Sequence, residues 1–584
     1  MLMGNYSGYE FDPDFNRTMV DILCLSGNSD VVQRQVNPDA PYSPTHVGII
    51  KRFIKAGVDR ETYAVYIPED FPPFGDGIFV FAPGGILAED YIEKSGIRKM
   101  ADEHRMVLLV MQSADISWRE RSVENILAYA RAAFLDMSLR DLYTWNEASY
   151  YVLGVEDGAY GANVFTMMYS SILAASVLWG DSSVAADFLD IVKNLPSDGD
   201  KNLLKCENPI PVWLIGEDSV SGNYYRHACR TEEESSLGDG VRKFMPKPDP
   251  ILNLVDEQAV SEVWVSTSEQ AAGWSRERFF NKAAGFLLRF KRWAGTGNRK
   301  LRRTVTKEDI GLVKKEIVVD GKKRYWYVYE PGAYKMDRTQ KLPMVIGLHG
   351  LCGTGEFWAQ NTEWHRVAEA RNFMMVYPTA YMHIYGECMC ATPAWSGSGM
   401  ALADGHDDLP FFKAMIERMC EEYPIDRECI YAAGHSNGSA MTQRLIEKMP
   451  GTFAAFGPNG YAEGDLAEHV RLEPYEHSVV CPTWLFKGEK DIASKADLTE
   501  GSANACVLRR LCEQNGADYQ SPKIYQNGIY TNYVWYDRHG VPVVRFSALK
   551  GFPHAYTPEN AWMTWDEYFC KFKRKRDGSV EYLG

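Results

Sequence analysis

The sequence predicts two tandem α/β domains, each built on a mostly parallel β-sheet with helices on both faces. Short apolar, β-prone runs alternate with helical stretches along most of the chain, and the whole order of elements occurs twice. Strands that alternate with helices are typical of parallel sheets covered on both faces. The chain of 584 residues is also too long for a single hydrophobic core.

The first set of elements begins after a turn-rich lead-in of about sixty residues. Gly77–Phe81 is an apolar strand that ends in a glycine-rich turn, and helices are indicated at Gly96–His104 and Arg121–Phe134. The predicted strands of this copy are Tyr63–Ile67, Gly77–Phe81, Met106–Met111, Tyr150–Leu153 and Pro211–Asp218.

The second set repeats the first at offsets of roughly 260 to 282 residues, which is the size of a domain rather than of a solenoid unit. Its strands, in the matching order, are Arg324–Tyr329, Pro343–Gly350, Phe373–Tyr377, Ile430–Gly438 and Pro482–Asp491. A glycine-bearing basic stretch between the copies is typical of an exposed linker. We therefore expect an N-terminal domain over 1–296, a linker over 297–307 and a C-terminal domain over 308–584.

Composition excludes several classes of protein. Hydrophobic residues at 45% and charged residues at 24% are ordinary globular values, and a net charge of −15 argues against a general nucleic-acid-binding protein. No run of eighteen apolar residues occurs, so we expect no membrane-spanning helix. The first residues show no secretory signal, which favours a cytoplasmic protein, or a secreted one if a leader has been removed.

Twelve cysteines are too dilute for a disulfide scaffold, and their spacings do not fit zinc sites. We expect isolated thiols and no metal. A bridge from Cys352 to Cys388 or Cys390 is the one disulfide to test.

The stretch that carries chemistry is Gly434-His435-Ser436-Asn437-Gly438 in the second copy. An apolar strand precedes it and a helical pattern over Ser439–Met449 follows, which is the setting of a G-x-S-x-G nucleophile elbow. Such a turn holds the serine Oγ clear of the sheet. Ser436 is therefore the candidate nucleophile, with a merely tight turn as the alternative.

Asp491 and His554 follow Ser436 in the order that α/β hydrolases use. Asp491 ends a later strand, where a carboxylate can orient an imidazole, and His554 lies in a late glycine-flanked loop. Its imidazole is the candidate base that takes the serine proton. Glu489 is the rival acid, and His539 and His477 are the rival bases.

The turn after the first core strand of this copy, Leu348-His349-Gly350-Leu351-Cys352-Gly353, is suited to an oxyanion hole. We expect donors from the amide of Leu351 or Cys352 together with that of Asn437. His349 and His435 are adjacent to this backbone, and a structural role is favoured for both. Asp407 and Asp408 precede an apolar helix and are interpreted as a helix N-cap pair.

The first copy lacks this set of residues. Its elbow is Gly154-Val155-Glu156-Asp157-Gly158, with a glutamate in place of the serine. No histidine occurs from 228 through 348, so its Asp218 has no imidazole to orient. We expect the first domain to be catalytically inactive.

The second domain resembles the polyhydroxybutyrate depolymerase-like esterases, a group close to feruloyl and acetylxylan esterases. The resemblance covers roughly residues 320–575, and the first domain is similar only as a degenerate relative. It implies a triad of Ser436, Asp491 and His554 and places Trp395 beside the acyl pocket. The segments that carry the resemblance, in order, are Leu348–Gly350, Val376–Pro378, Ala394–Trp395, Asp407–Asp408, Tyr423–Arg427, Ile430–Gly438, Gly488–Asp491 and His554.

The expected function is hydrolysis of carboxylic esters through an acyl-enzyme on Ser436, without a metal or organic cofactor. Hydroxyacyl, hydroxycinnamoyl and polyester-type esters, small or polymeric, are the expected substrates, with Trp395, His349 and Trp364 as candidate substrate-binding residues. A serine peptidase of the same fold and a non-catalytic binding protein are the alternatives. The first domain is expected to support the second, roof its cleft or mediate a homodimer.

Overall fold

The computed structural model describes residues 25–27, 32–33, 46–56, 59–138, 145–197, 203–216, 219–238, 240–246, 260–293, 301–384, 391–399, 405–465, 470–491 and 495–584. Contacts between Cα atoms divide the chain into two compact units, with the main division between Thr304 and Val305. Cys388, Cys390 and Asp218 lie outside the described residues, so the predictions made for them stay predictions.

The N-terminal unit is built on one mixed sheet with parallel strands at its centre. In the order β1-β3-β4-β6-β5-β7-β8-β9-β12-β11-β10, the pairs from β6 to β12 are parallel and the flanking pairs antiparallel, while β2 pairs with β3. The strands are β1 Leu25–Gly27, β2 Val32–Gln33, β3 His46–Ala56, β4 Asp59–Ile67, β5 Gly75–Phe81, β6 Val107–Met111, β7 Trp145–Val155, β8 Ala175–Trp179, β9 Val212–Ile215, β10 Thr231–Ser236, β11 Arg242–Pro246 and β12 Val263–Ser266, followed by the separate pair β13 Phe290–Arg292 and β14 Leu301–Arg303. The helices are α1 Ala88–Lys94, α2 Ile97–His104, α3 Val123–Ser138, α4 Gly158–Met168, α5 Ala186–Asn194, α6 Ser219–Ala228, α7 Ser268–Ala272 and α8 Arg276–Leu287, with short 3-10 turns at Trp118–Glu120 and Lys205–Glu207.

The C-terminal unit repeats the order of the ten strands from β3 to β10 and, within its described residues, has no counterpart of β1 and β2 in its sheet. Its sheet has the order β15-β16-β18-β17-β21-β22-β23-β26-β25-β24, again with parallel pairing from β18 to β26. The strands are β15 Val313–Val319, β16 Lys322–Tyr329, β17 Leu342–Leu348, β18 Met374–Pro378, β19 Met382–Ile384, β20 Ala391–Pro393, β21 Ile425–His435, β22 Ala455–Asn459, β23 Thr483–Gly488, β24 Lys523–Asn527, β25 Tyr530–Trp535, β26 Val544–Leu549, β27 Phe572–Arg574 and β28 Val580–Tyr582. The helices are α9 Lys307–Ile310, α10 Gly332–Met336, α11 Gly355–Gln360, α12 Trp364–Arg371, α13 Leu409–Glu422, α14 Asn437–Lys448, α15 Ala503–Asn515 and α16 Pro558–Glu567, with a 3-10 turn at Phe569–Lys571.

The central strands are buried on both faces, which is why they appear in the sequence as continuous apolar runs. In β6 and β18 every residue is buried. Each sheet separates two apolar clusters, one per face, that the helices cover. The prediction of two tandem α/β domains is confirmed.

Part of the predicted linker over 297–307 forms regular structure. Leu301–Arg303 forms β14, which pairs antiparallel with β13 in the N-terminal unit, and Leu301 is 2% exposed. This pairing buries the apolar Leu301. The basic residues around it suggest an exposed segment, so the sequence does not predict the burial. α9 then opens the C-terminal unit, with Thr306 as its N-cap.

Among the described helices, none combines the length and apolar character needed to cross a membrane.

Candidate active site

The elbow lies between β21 and α14, at the centre of the C-terminal sheet. Ser436 adopts φ 56° and ψ −119°, a strained conformation for a residue with a side chain, and its N–H donates to the Asn459 carbonyl at 2.8 Å. A Cβ on Gly434 would lie 2.3 Å from the Gly438 carbonyl oxygen, and one on Gly438 would lie 2.3 Å from that of Leu348. The two glycines let strand and helix approach closely enough to project the serine side chain upward.

The structure brings Ser436, His554 and Asp491 together in a hydrogen-bonded relay. His554 Nε2 lies 2.7 Å from Ser436 Oγ, and His554 Nδ1 lies 2.8 and 2.9 Å from the two oxygens of Asp491. The Asp491 side chain is fully buried, whereas that of His554 is 19% exposed. Because Nδ1–H donates to the carboxylate, Nε2 presents its lone pair to the serine hydroxyl, which is the tautomer that a general base requires.

The rival residues are engaged elsewhere. Glu489 accepts the N–H of Gly551 at 2.8 Å, which fixes the loop that carries His554. His539 is exposed and contacts Arg538, while His477 Nε2 bonds to the Ile446 carbonyl at 3.0 Å. None of the three contacts Ser436, so Asp491 and His554 are the partners that the fold supplies.

The turn after β17 passes beside the nucleophile. A Cβ on Gly350 would lie 3.4 Å from Ser436 Cβ, so backbone of this turn reaches the space where an oxyanion forms. The Cys352 amide, however, donates to the Pro393 carbonyl at 3.0 Å and points away from that space. The Cys352 alternative is therefore wrong, and Leu351 with Asn437 remains the candidate pair of donors.

The side chain of Asn437 has a second task. Its Oδ1 accepts the Trp395 N–H at 2.6 Å and its Nδ2 donates to the Trp395 carbonyl at 3.0 Å. The Trp395 indole N–H in turn donates to the His349 carbonyl at 3.0 Å. These bonds join the elbow to the turn after β17, so the two candidate oxyanion donors are held in one frame.

The three candidate substrate-binding residues lie inside the protein. Trp395, His349 and Trp364 are each 0% exposed. Trp395 packs on Phe412, and Trp364 packs on Phe569 in the core. None of the three side chains contacts solvent in this structure, and the substrate-binding role stays a prediction. Their large apolar surfaces are worth more in the core than in a cleft.

His349 is instead a fixed structural group. Its Nδ1 donates to the Gly350 carbonyl at 2.7 Å and its Nε2 accepts the Ala380 N–H at 3.0 Å. Burial lowers the pKa of His349 to about 4, so the ring stays neutral and keeps this tautomer at physiological pH.

His435 packs behind the catalytic imidazole. Its ring centroid lies 4.8 Å from that of His554, Trp358 stacks on its other side at 6.1 Å, and its Nδ1 donates to Asn459 Oδ1 at 2.7 Å. Burial, together with the neighbouring His554, lowers the pKa of His435 to about 3. A neutral ring there adds no positive charge beside the His554 imidazole.

Sequence reasoning missed two buried charged groups near this frame. Asp408 does not cap its helix: Oδ1 accepts from Arg324 at 2.7 Å and Oδ2 accepts the Ser396 N–H at 2.9 Å, directly after Trp395. Burial alone raises its pKa, but Arg324 and the bond from His406 outweigh it and hold the pKa well below the usual range. The second group is Lys487, one residue before the end of β23, which pairs with Asp465. In the sequence, Arg324 and Lys487 look like ordinary solvent-exposed charged residues. No local signal predicts that they are buried.

The N-terminal unit preserves the frame but has different residues at its elbow. The Trp118 indole donates to the Ala82 carbonyl at 2.6 Å, just as Trp395 does to His349 in the other unit. At the elbow, Glu156 has φ 55° and pairs with Arg276. Asp157, which matches Asn437, accepts the Gly84 N–H at 2.7 Å.

Phe81 pairs with Gly154 in the N-terminal sheet, and Leu348 pairs with Gly434 in the C-terminal sheet, so Phe81 corresponds to Leu348. Three residues further on, Gly84 therefore corresponds to Leu351. The Asp157 carboxylate therefore accepts a hydrogen bond from the Gly84 amide, which corresponds to the candidate oxyanion donor at Leu351. Glu156, which is paired with Arg276, stands at the position of Ser436. Across the described ranges of both units, no group of His, Cys, Asp and Glu side chains is arranged to hold a metal ion.

Comparison with known proteins points to the same part of the chain. Residues 325–466 match the family model "Esterase PHB depolymerase". The chain is 28% identical over 118 residues to the bifunctional acetylxylan esterase/xylanase XynS20E of Neocallimastix patriciarum. This match covers 20% of this chain and 15% of that protein. It is 22% identical over 227 residues to acetylxylan esterase A of Emericella nidulans (35% and 71% of the two chains) and 24% identical over 163 residues to feruloyl esterase B of Thermothelomyces thermophilus (28% and 52%).

Among solved structures, the acetyl xylan esterase from Aspergillus awamori aligns with 43% of this chain and 98% of its own, at 16% identity and a TM-score of 0.34. The matches to the three esterases named above cover between 15% and 71% of those proteins' own lengths. Together with the sheet order and the elbow, the match over residues 325–466 indicates that the C-terminal unit is similar to polyhydroxybutyrate depolymerase-like and feruloyl esterase-like α/β hydrolases.

Proposed function

We propose that the C-terminal unit is a serine carboxylic-ester hydrolase that acts through an acyl-enzyme on Ser436, and that the N-terminal unit is non-catalytic. The observation that carries the proposal is the position of His554, 2.7 Å from Ser436 Oγ and 2.8 Å from Asp491 Oδ1. A nucleophile within hydrogen-bond reach of a base, which a third group orients, is the arrangement used for acyl transfer.

In the first half-reaction, Ser436 Oγ attacks the ester carbonyl carbon while His554 Nε2 takes the hydroxyl proton. The carbonyl oxygen gains a full negative charge in the tetrahedral intermediate, and the Leu351 and Asn437 amides are the proposed donors to it. Asp491 stabilises the imidazolium without itself becoming protonated. The C–O bond to the alcohol then breaks, and His554 returns the proton to the leaving oxygen.

In the second half-reaction, water replaces the alcohol. His554 Nε2 removes a proton from a water molecule, whose oxygen attacks the acyl carbon on Ser436, and the same amides stabilise the second intermediate. Collapse releases the carboxylic acid and returns the proton to Ser436 Oγ. His435 supports both steps because a neutral ring against His554 adds no positive charge to compete with the imidazolium.

For substrates we propose hydroxyacyl, hydroxycinnamoyl or polyester-type esters. The names of the relatives, acetylxylan and feruloyl esterases, support this choice. The buried tryptophans do not add to it, since their rings lie in the core.

The test is hydrolysis of p-nitrophenyl esters of increasing acyl length and of methyl hydroxycinnamates by the wild type, Ser436→Ala and Ser579→Ala. Ser579 is a matched serine control, because its hydroxyl bonds to Asp577 in an exposed turn. We expect Ser436→Ala to lose at least about a thousandfold in kcat, as removal of a triad nucleophile does, and Ser579→Ala to match the wild type. Equal inactivity of all three proteins on every ester contradicts the proposal, and turnover of peptides in place of esters assigns the site to a peptidase.

A further inference from the structure

A buried lysine lies beside the triad carboxylate. The side chains of Lys487, Asp465 and Asp491 are each 0% exposed. Lys487 Nζ pairs with Asp465 Oδ2, donates to the Gly460 carbonyl at 3.1 Å and lies 4.0 Å from Asp491 Oδ2. A buried ammonium group is costly unless it is paired, so this arrangement needs a reason.

The oxygen that Lys487 approaches is one that His554 uses. Asp491 Oδ2 lies 2.9 Å from His554 Nδ1 and 4.0 Å from Lys487 Nζ. Asp465 is itself held in place, because its Oδ2 accepts the Ala462 N–H at 2.9 Å. The contact with Asp465 is the closer one, so the ammonium group stays short of a direct hydrogen bond to Asp491.

We propose that Lys487 and Asp465 are positioning residues for the triad, an inference that rests on the proposed function. Lys487 stabilises the ionised form of Asp491. Asp465 neutralises Lys487 and keeps it from displacing His554 on the triad carboxylate.

The charges explain why Lys487 needs Asp465 beside it. Asp465, Asp491 and Lys487 together carry −1, and the cluster becomes neutral when His554 is protonated in the reaction. Without Asp465 the same cluster is neutral before the reaction starts, and protonation of His554 then adds an uncompensated positive charge. Among the described residues near the cluster, His435 stays neutral and Glu463 is paired with Arg510, so neither supplies that charge. Glu489, on the far side of the loop, is bonded to Gly551.

The experiment compares Asp465→Asn with the double variant Asp465→Asn/Lys487→Met. In Asp465→Asn, the unneutralised Lys487 is expected to lower the pKa of His554 by about one unit, in line with the effect of one nearby charge. The acid limb of kcat/KM then moves to lower pH, and the plateau falls by about tenfold because the imidazolium is less stable. The double variant restores the charge of −1, so the limb returns to the wild-type position and most of the plateau recovers.

The pKa of His554 is also read directly, by NMR titration of the protein labelled at histidine ¹³Cε1, with His554→Gln to assign the signal. Lys575→Met is the matched control, since Lys575 pairs with Glu428 and Glu581 at a partly exposed position. If Lys487 and Asp465 only stabilise the fold, neither variant changes the pKa of His554, and the double variant is no more active than Asp465→Asn. Either result overturns the inference. An absence of ester turnover in the wild type overturns the proposed function instead, and the NMR titration still decides the role of the pair.

Discussion

Gly438→Ala tests how the elbow is built, because it adds one methyl group at a defined place. The new Cβ lies 2.3 Å from the Leu348 carbonyl oxygen and 2.6 Å from that of His349, both of which are backbone atoms. Ordinary Cβ contacts begin near 3.4 Å, so the shortfall is about 1.1 Å (3.4 − 2.3). Alanine at a helical position gains about 1 kcal/mol over glycine, but overpacking of this kind costs up to about 3 kcal/mol. We expect a net loss of about 2 kcal/mol in the free energy of unfolding.

The effect on activity should be larger than the effect on stability. The displaced carbonyls belong to the turn that carries Leu351, so a shift of about 1 Å misplaces a candidate oxyanion donor, and such displacements cost about a hundredfold in rate. The measurement is kcat/KM on a p-nitrophenyl ester together with calorimetric unfolding.

The N-terminal unit offers a matched control for this substitution. A Cβ on Gly158 lies 2.3 Å from the Phe81 carbonyl oxygen, the same clash in a unit that we propose is non-catalytic. Gly158→Ala should destabilise the protein comparably and leave kcat/KM unchanged, whereas Gly451→Ala, with open space around its Cβ, should change neither. Full activity in Gly438→Ala, or an equal loss of activity in Gly158→Ala, refutes the reasoning.

Three further predictions concern the frame around the site. Asn437→Ala removes both side-chain bonds to the Trp395 backbone and should lower kcat about tenfold with little change in KM, measured by steady-state kinetics; a change in KM alone contradicts it. Arg324→Met leaves the Asp408 carboxylate buried without its guanidinium partner and should cost about 3–5 kcal/mol in denaturant unfolding, an amount that an exposed pair does not approach. The pKa of His349 is lowered to about 4 by burial, so the unfolded chain binds the proton more readily. The free energy of unfolding should therefore fall by about 1.4 kcal/mol per pH unit as the pH drops from about 6.5 to about 4, and His349→Gln should remove that part of the slope.

The triad could be predicted from the sequence because its signals are local. A nucleophile elbow needs a serine flanked by two glycines, between a strand and a helix. The sequence around Ser436 shows each of these features. Asp491 and His554 follow at strand ends and loops, where the hydrolase order expects them. The duplication was legible for a similar reason, since buried parallel strands leave continuous apolar runs in both copies.

The surroundings of the triad could not be predicted because they depend on long-range burial. Trp395 lies in an irregular stretch after β20, and Trp364 is the first residue of α12. Nothing in the local sequence distinguishes a tryptophan that faces a cleft from one that packs in the core. The sequence does not separate Cys352 from Leu351 as an oxyanion donor, because the bond from the Cys352 amide to the Pro393 carbonyl joins residues 41 apart. The ion pair of Lys487 with Asp465 joins residues 22 apart in sequence, and each charge alone resembles a solvated side chain.

The measurement that bears most directly on the central claim is a burst titration with a p-nitrophenyl ester under conditions where deacylation is slow, followed by peptide mass mapping. An acyl-enzyme on Ser436 predicts a burst of one p-nitrophenolate per chain, with the acyl group on the peptide that contains Ser436, and no burst in Ser436→Ala. A burst that persists in that variant, or an acyl group on any other residue, contradicts the account. A burst of two per chain contradicts the assignment of the N-terminal unit as non-catalytic.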